Sequence, residues 1–347
     1  MPLFTRCATP LSQKDIFNYL KALRSHAFAP YSRHLAASLV EIKLQENIFY
    51  YTSGVNAEFE PNRLSLHSEQ NALASALTFA GGNSKFSRIW IMAAPTDTFP
   101  EEKHSVSTSC GHCRQLMVSL ANPEAEIYLV SLDGRFSKPD TFEAGFLPNP
   151  FSERDLNLPV FKPDPSFRAR LKKSTTIFNT PTLQAWDILN NKNLSKEEIA
   201  KYFKVLTPHI INKEFQTSPI TACILKCNNG RYAAGVLVQD ISFLTTDAIF
   251  AALGNAITRF GAPNLSLDEI HLASNSLHPA QLSFTEIEIL SKHFVNNLTP
   301  VHFYTDSQYA SFTFRDCKRA RSQLIDHRLE GNFFLEENFE AAPRAKL

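Results

Sequence analysis

Apolar and polar positions along the chain predict the same series of elements twice. Residues 11–16 and 194–199 each place a serine before a helical pattern, with an acidic residue three positions later, as in a capped helix start. Two apolar strands joined by a turn follow, then an Ala- and Leu-rich helix that ends at glycine, and then a further strand. The repeat has a period of about 181 residues, so we expect an internal duplication.

The order helix, hairpin, helix, strand, helix predicts an α/β fold with tandem three-layer α/β/α domains around mixed sheets. We expect a first domain at residues 1–157, a proline-containing linker at 158–193 and a second, degenerate domain at 194–310. Residues 311–347 are interpreted as a C-terminal extension, with a solvated helix and a loose tail. The strands and the helix between them are predicted at 36–40, 51–55, 72–81 and 89–93, and again at 221–225, 232–236, 248–261 and 270–273.

Composition narrows the class of protein. The chain has 347 residues, of which 44% are hydrophobic and 20% charged, a globular balance that excludes a disordered or coiled-coil protein. With 35 basic and 34 acidic residues the net charge is +1, which argues against a nucleic-acid partner and favours a small ligand. Residues 1–12 lack the apolar stretch of a secretory signal, and no apolar run spans a membrane, so a cytoplasmic protein is expected.

The first copy carries metal-ligating side chains at two predicted helix starts. Cys110 follows His67 by 43 residues, and Cys113 completes a Cys-x-x-Cys motif. One imidazole and two thiolates give zinc three protein ligands and leave the fourth tetrahedral position for water, as in catalytic sites. Glu69 is placed to exchange protons with that water without binding the metal. His112 is the one other candidate ligand nearby.

Each motif alone has a simpler interpretation. A Cys-x-x-Cys pair is often a redox pair, and an isolated His-x-Glu carries no information. Six cysteines are too few for a disulfide framework, and Cys223 and Cys227 have no histidine partner, so we predict that both lie in the core of the second copy. Only the combination of His67 with Cys110 and Cys113 is specific to a metal site.

Several segments together resemble the cytidine deaminase family, in particular its two-domain homodimeric type from bacteria and plants. His-x-Glu followed by Pro-Cys-x-x-Cys is the signature of zinc nucleobase deaminases, and this chain has Ser109 in place of the proline. Ser109 leaves the loop before the thiolates less rigid. The matching segments are 30–32, 54–59, 67–70, 110–115 and 147–156.

The resemblance implies hydrolytic deamination of cytidine and deoxycytidine in pyrimidine salvage, with hydroxide on the zinc attacking C4 and Glu69 shuttling protons. It also implies that Asn56 and Glu58 bind the ribose, that Phe151 contacts the base bound by the other subunit of a homodimer, and that the residue after Pro-Tyr-Ser-x packs on the pyrimidine. That residue is His34 here, where the family has phenylalanine. If His34 points away, Phe28 or Phe59 is the alternative.

The second copy has lost these residues. Aligned on the helix-ending glycines, Asp247 and Ile249 replace the histidine and the glutamate, while Leu237 and Gln239 replace the ribose-binding pair. The cysteines align with Phe284 and Ile287, so we expect about one zinc per chain and none in 194–310. Three alternatives remain: a deaminase of another aminopyrimidine or nucleoside analogue, a zinc-stabilised binding protein without turnover, and a polynucleotide deaminase, which the charge disfavours.

Overall fold

Two mixed sheets form the frame of the protein. The computed structural model describes residues 4–45, 48–59, 65–80, 86–99, 102–141, 146–147, 188, 191, 193–206, 208–210, 218–239, 245–263 and 265–330. Phe151 and nearly all of the predicted linker at 158–193 lie outside the described residues.

The first sheet has five strands in the order β1-β3-β2-β4-β5. β4 and β5 run parallel, whereas the other neighbours are antiparallel. One face is covered by α1, whose helix start is capped by Ser12 as predicted, and the other face by α2 and α3. The elements are β1 Phe4–Cys7, α1 Gln13–Arg24, β2 His34–Gln45, β3 Ile48–Val55, α2 Ser68–Ala80, β4 Phe86–Pro95, α3 Gly111–Leu120 and β5 Ala121–Leu129.

The second sheet has the order β13-β12-β11-β7-β8, in which β8, β7, β11 and β12 correspond to β3, β2, β4 and β5, and β11 and β12 are parallel. α4 covers one face, and α5 and α6 cover the other. A small sheet of β6, β9 and β10 lies beside it. The elements are α4 Lys196–Phe203, β6 His209–Ile210, β7 Ile220–Cys227, β8 Tyr232–Val236, β9 Val238–Gln239, β10 Thr245–Thr246, α5 Ala248–Phe260, β11 Leu267–Ser274, α6 Phe284–His293, β12 Pro300–Tyr304, β13 Tyr309–Thr313 and α7 Phe314–Glu330.

Matching close contacts occur at equivalent places of the two sheets. A Cβ on Gly54 of β3 would lie 2.3 Å from Ala72 N, and one on Gly235 of β8 would lie 2.2 Å from Ala252 N. Each glycine therefore lets a helix backbone rest directly on the sheet. Both helices have 13 residues, and α3 and α6 both have 10. The predicted α/β fold class, with helices on both faces of mixed sheets, is confirmed.

The two copies share one core rather than folding as separate bodies. α2 packs on β3 and also contacts β8, while α5 packs on β8 and also contacts β3. Polar bonds join the two helices: Asn71 Nδ2 donates to Thr258 Oγ1 at 2.9 Å, and Ser75 Oγ donates to Asn255 Oδ1. Helix α2, which begins at the predicted metal ligand, is therefore positioned by the second copy.

The C-terminal helix differs from the prediction. The second sheet continues through β13 to Thr313, and α7 begins at the next residue. Phe314 and Cys317 are fully buried, so this helix is not solvated on all sides, because one face covers the edge of the second sheet. Cys223 and Cys227 are also fully buried, as predicted. Among the helices in the described ranges, none combines the length and the apolar character needed to cross a bilayer.

Candidate metal centre

The predicted metal ligands converge where α2 and α3 begin. His67 directly precedes α2, Cys110 is the N-cap residue of α3, and Cys113 lies in its first turn. His67 Nδ1 lies 3.4 Å from Cys110 Sγ and 3.3 Å from Cys113 Sγ. Residues 43 positions apart in sequence thus offer one nitrogen and two sulfurs to a single point.

This donor set fits zinc. Nitrogen at about 2.0 Å and sulfur at about 2.3 Å from a tetrahedral zinc lie roughly 3.6 Å apart, close to the observed distances. Hydrogen bonds from Cys113 and His67 lower the pKa of Cys110 to about 3, so its thiolate form is favoured. The start of α3 adds the positive end of a helix dipole. His112 stacks on His67 at 5.8 Å between ring centroids and is outside the ligand group.

Glu69 lies beside these ligands without being one of them. It is 6% exposed, and Ser68 Oγ donates a hydrogen bond to its Oε2 at 3.0 Å. Ser68 is held in turn by Ser38 Oγ, 2.8 Å away on β2. Glu69 is close enough to Cys113 to help raise the pKa of that thiol, although the neighbouring Cys110 is the larger cause. A buried carboxylate therefore lies next to the ligand group.

Asn56 and Glu58 hold the backbone that borders the site. Asn56 Oδ1 accepts from Ala36 N at 2.7 Å, and Asn56 Nδ2 donates to His34 O at 2.8 Å. Glu58 Oε2 accepts from the backbone N–H groups of Tyr31 and Ser32, at 3.1 and 3.0 Å. Both side chains thus shape the segment 31–36, and their predicted contact with ribose stays a prediction.

His34 begins β2 on the same side of the site. Its pKa is lowered mainly by burial and further by Arg24, while Glu58 and Glu69 act in the opposite direction. The imidazole therefore interacts electrostatically with both carboxylates. Arg33, just before it, has a φ of 56°, an unusual backbone conformation that sets where His34 leaves the loop.

The two alternative aromatic residues face the second copy. Phe59 is fully buried, with ring centroids 5.7 Å from His293 and 5.8 Å from Phe294. Phe28 lies 6.4 Å from Phe59 and 6.2 Å from His293. Phe59 is thus enclosed by rings of the second copy, and which of His34, Phe28 and Phe59 contacts a base stays a prediction.

Arg114 is a residue whose role sequence reasoning missed. Its Nε donates to Ser109 O at 2.8 Å and its Nη2 to Thr108 Oγ1 at 3.0 Å, so it fixes the loop that leads into the thiolates. The guanidinium also lies 5.1 Å from the ring centroid of Phe146. Its position directly after the Cys-x-x-Cys motif was the available signal. The loop at Ser109, which was expected to be less rigid, is therefore held by hydrogen bonds from Arg114 of α3.

The predicted alignment of the two copies is wrong by one residue at the helix that follows the cysteine loop. Because α3 and α6 start at equivalent places, Cys110 corresponds to Ser283 and Cys113 to Glu286, rather than to Phe284 and Ile287. The connection before the helix is shorter in the second copy, which displaced the alignment. The equivalent place is a cavity of about 450 Å³ lined by Asp247, Ser283, Glu286 and Arg321, among others.

Similarity to known proteins was found among solved structures. No model of a protein family matches the chain, and no curated protein matches it. A cytidine deaminase from Burkholderia pseudomallei is 27% identical, covering 41% of this chain and 100% of its own, with a TM-score of 0.33. One from Mycobacterium leprae is 21% identical, with 40% and 100% covered and a TM-score of 0.30.

A cytidine deaminase from Mycobacterium tuberculosis is similar at 20% identity, with 41% of this chain and 99% of that chain covered and a TM-score of 0.31. The structural neighbours are thus cytidine deaminases, each matched over less than half of this chain. With TM-scores this low, function has to be inferred from the site itself.

Proposed function

We propose that the protein is a zinc-dependent hydrolase that deaminates cytidine and deoxycytidine to uridine and deoxyuridine. The observation that supports this most is the convergence of His67 Nδ1 on Cys110 Sγ and Cys113 Sγ, with the buried Glu69 alongside. Three protein ligands leave one position open, and a structural zinc site would have no use for an adjacent proton carrier. The donor set also explains why the site lies at two helix starts, where thiolates are stabilised.

Zinc bound there would lower the pKa of a coordinated water to about 7 and so supply a nucleophile at neutral pH. Glu69 takes the proton from the attacking water and delivers it to N3 of the cytosine ring. It then carries the second water proton to the amino group at C4, which leaves as ammonia while the ring carbonyl of uridine forms. Ser68, through its hydrogen bond to Oε2, keeps the carboxylate oriented for both transfers.

Substrate binding is assigned to the segment held by Asn56 and Glu58. The two residues are two positions apart at the end of β3, and their amide and carboxylate are suited to ribose hydroxyls. His34 offers an imidazole face to the base. All six cysteines lie among the described residues as free thiols, which fits a reducing compartment, so we propose that the reaction takes place in the cytoplasm as part of pyrimidine salvage.

Ammonia release from cytidine and deoxycytidine tests the proposal. The purified full-length protein should release ammonia, lose this activity after treatment with a strong chelator, and recover it when zinc is added back. Protein that binds zinc but releases no ammonia would instead be a zinc-stabilised binding protein.

A second candidate substrate is another small aminopyrimidine or nucleoside analogue. His34 supports it, because an imidazole beside Glu58 and Glu69 differs in polarity from the phenylalanine of the family. A panel of free cytosine, cytidine, deoxycytidine and ring-substituted analogues, compared by kcat/KM, would identify the preferred one. Cytidine as the poorest substrate of the panel would favour the second candidate.

We also propose a homodimer in which Phe151 of each subunit contacts the base bound by the other. Support comes from the sequence resemblance, since Phe151 lies outside the described residues. Mixing a Phe151→Ala chain with a Glu69→Ala chain should restore activity, because each mixed dimer would contain one intact site. If subunit exchange is confirmed and activity stays low, each site is made by one chain.

A further inference from the structure

A second group of metal-ligating side chains lies on the α4 face of the second sheet, far in sequence from the centre described above. Glu269 and His271 are two residues apart on β11, so they share a face. His302 of β12 is the registered partner of His271. We name Glu269, His271 and His302 the strand cluster.

The three ligand atoms point at one another. Glu269 Oε2 lies 3.1 Å from His271 Nε2 and 3.7 Å from His302 Nε2, and all three atoms lie within 4.8 Å. Ligands bound at about 2.1 Å to a tetrahedral zinc are separated by roughly 3.4 Å, so these distances bracket the required value. The centroids of the imidazole rings are 4.6 Å apart.

His271 Nε2 is the atom that most needs a partner. The residue is 1% exposed, and among the described residues this nitrogen has no hydrogen-bond partner. The nearest carboxylate oxygen, Glu269 Oε2, is 3.1 Å away but out of line for a hydrogen bond. An unpaired buried polar atom is costly unless something else binds it.

The outer contacts of the strand cluster leave these nitrogens available. His271 Nδ1 lies 3.1 Å from Tyr304 Oη, and His302 Nδ1 lies 2.8 Å from Tyr309 Oη. A phenol oxygen can accept the Nδ1 proton, which leaves Nε2 free to bind a metal, as is usual for histidine ligands. Lys226 Nζ donates a hydrogen bond to Glu269 Oε1 at 2.7 Å. This bond orients the carboxylate with Oε2 toward the imidazoles.

The equivalent place in the first copy carries a different chemistry. There Trp90 and Tyr128 stack at 5.8 Å between centroids on the registered strands β4 and β5, and Arg88 precedes them. The second copy keeps the stacked pair but builds it from two imidazoles, with a carboxylate in place of the arginine. Glu269, 30% exposed at its side chain, leaves an entry path for an ion.

We infer that the strand cluster binds a divalent transition-metal ion, with zinc as the best fit, through His271 Nε2, His302 Nε2 and Glu269 Oε2. This site is distinct from the one at His67. It departs from the expectation that residues 194–310 bind no zinc, because that expectation rested on the lost helix-start motifs and these ligands lie on strands.

Cobalt titration of the metal-free full-length protein tests this inference. Two equivalents of Co²⁺ should bind, one giving the thiolate-to-cobalt charge-transfer band of Cys110 and Cys113 and one giving weaker bands without it. His302→Gln should bind only the equivalent with the thiolate band, while the exposed control His104→Gln should bind both. Absence of the equivalent without a thiolate band in the unchanged protein, or its persistence in His302→Gln, would overturn the inference.

A second variant covers the case in which His302→Gln does not fold. Tyr309→Phe keeps the ring and removes only the oxygen on His302 Nδ1, so metal affinity at the strand cluster should fall about 10- to 100-fold. The thiolate-linked equivalent should be unchanged, and unaltered affinity at both sites would contradict the inference. Because the two equivalents have different spectra, failure of the proposed deaminase centre would be seen separately.

Discussion

The starts of α2 and α3 can be compared with the starts of α5 and α6, which occupy the same places in the two copies. The first pair presents His67, Cys110 and Cys113, whereas the second presents Asp247, Ser283 and Glu286. The helices α2 and α5 have the same length, and Gly54 and Gly235 make equivalent close contacts under them. The fold therefore positions the helix starts in the same way in both copies, and the side chains at those starts determine which ligands each copy offers.

The helix starts of the second copy also differ from those of the first copy in the ionisation of their side chains. Glu286 is buried and accepts hydrogen bonds from Ser283 in a capping box, yet burial and the nearby Asp247 raise its pKa to about 7. Arg321 of α7 lines the same cavity and donates to Ala280 O at 3.0 Å. A place that in the first copy favours thiolates thus favours a protonated carboxyl group in the second.

Replacement of the proton carrier should give the largest effect. Glu69→Gln keeps the size of the side chain and its contact with Ser68, but it cannot exchange protons, so ammonia release from cytidine should fall by roughly 10²- to 10⁴-fold. Zinc content, measured by elemental analysis, should remain that of the unchanged protein. The exposed Glu124→Gln serves as the matched control, and retained activity in Glu69→Gln would reject the assigned role.

Removal of the buried carboxyl from the second copy should alter the pH dependence of stability. The folded-state pKa of Glu286 lies above its ordinary value of 4.5, at about 7, so the folded protein holds its proton more tightly than the unfolded chain does. Its contribution is therefore favourable below about pH 4.5 and is lost as pH rises through 7. Over this pH range, the free energy of unfolding of the unchanged protein should fall by up to about 3 kcal/mol relative to that of Glu286→Gln.

Urea unfolding of both proteins at several pH values measures this difference. The first-copy site is identical in the two proteins, so its own titration cancels. Parallel stability curves would mean that Glu286 ionises in the folded protein as it does in the unfolded chain.

Replacement of His34 should have a smaller effect on activity. Burial lowers the pKa of His34 below 6.5, so it becomes charged only in acid, where a cation beside the cytosine ring weakens binding. His34→Phe should remove this acid limb from the pH profile of kcat/KM and lower KM for cytidine about fivefold, roughly 1 kcal/mol of added stacking. An unchanged profile would place His34 away from the base.

Introducing the first-copy ligands into the second copy should give the smallest change, a doubling of the thiolate-to-cobalt absorption. The triple variant Asp247→His, Ser283→Cys and Glu286→Cys places the first-copy donor set in the second copy. If the two frames are equivalent, the thiolate-to-cobalt absorption per chain should rise about twofold. Ser283→Cys alone should leave it unchanged, and the same absorption in the triple variant would show that the frames differ more than their helices suggest.

The sequence predicted those features that depend on short spacing. Helix starts at Ser12 and Ser195 and the ligand set His67, Cys110 and Cys113 follow from sequence motifs, and the structure confirms the helix starts and the convergence of the ligands. Equivalence of Ser283 with Cys110 could not be predicted, because connections of different length precede α3 and α6.

The strand cluster shows a second limit. Glu269 and His271 alternate on one strand and could have been noticed, but the pairing with His302 depends on the register of two parallel strands. Register between strands that are separated by a helix is set by packing of the whole sheet and is not written in either strand alone.

The shared helix layer has a consequence for genetics. Gly254 of α5 faces Asn71, and a Cβ there would lie 2.4 Å from Asn71 Oδ1 on the helix that also carries Glu69. A missense change at Gly254 would thus displace the helix that carries Glu69, although Gly254 belongs to the copy without the His67, Cys110 and Cys113 donor set. Loss-of-function alleles are expected on both halves of the gene, and a smaller residue at 71 is a natural place for a suppressor within the same chain.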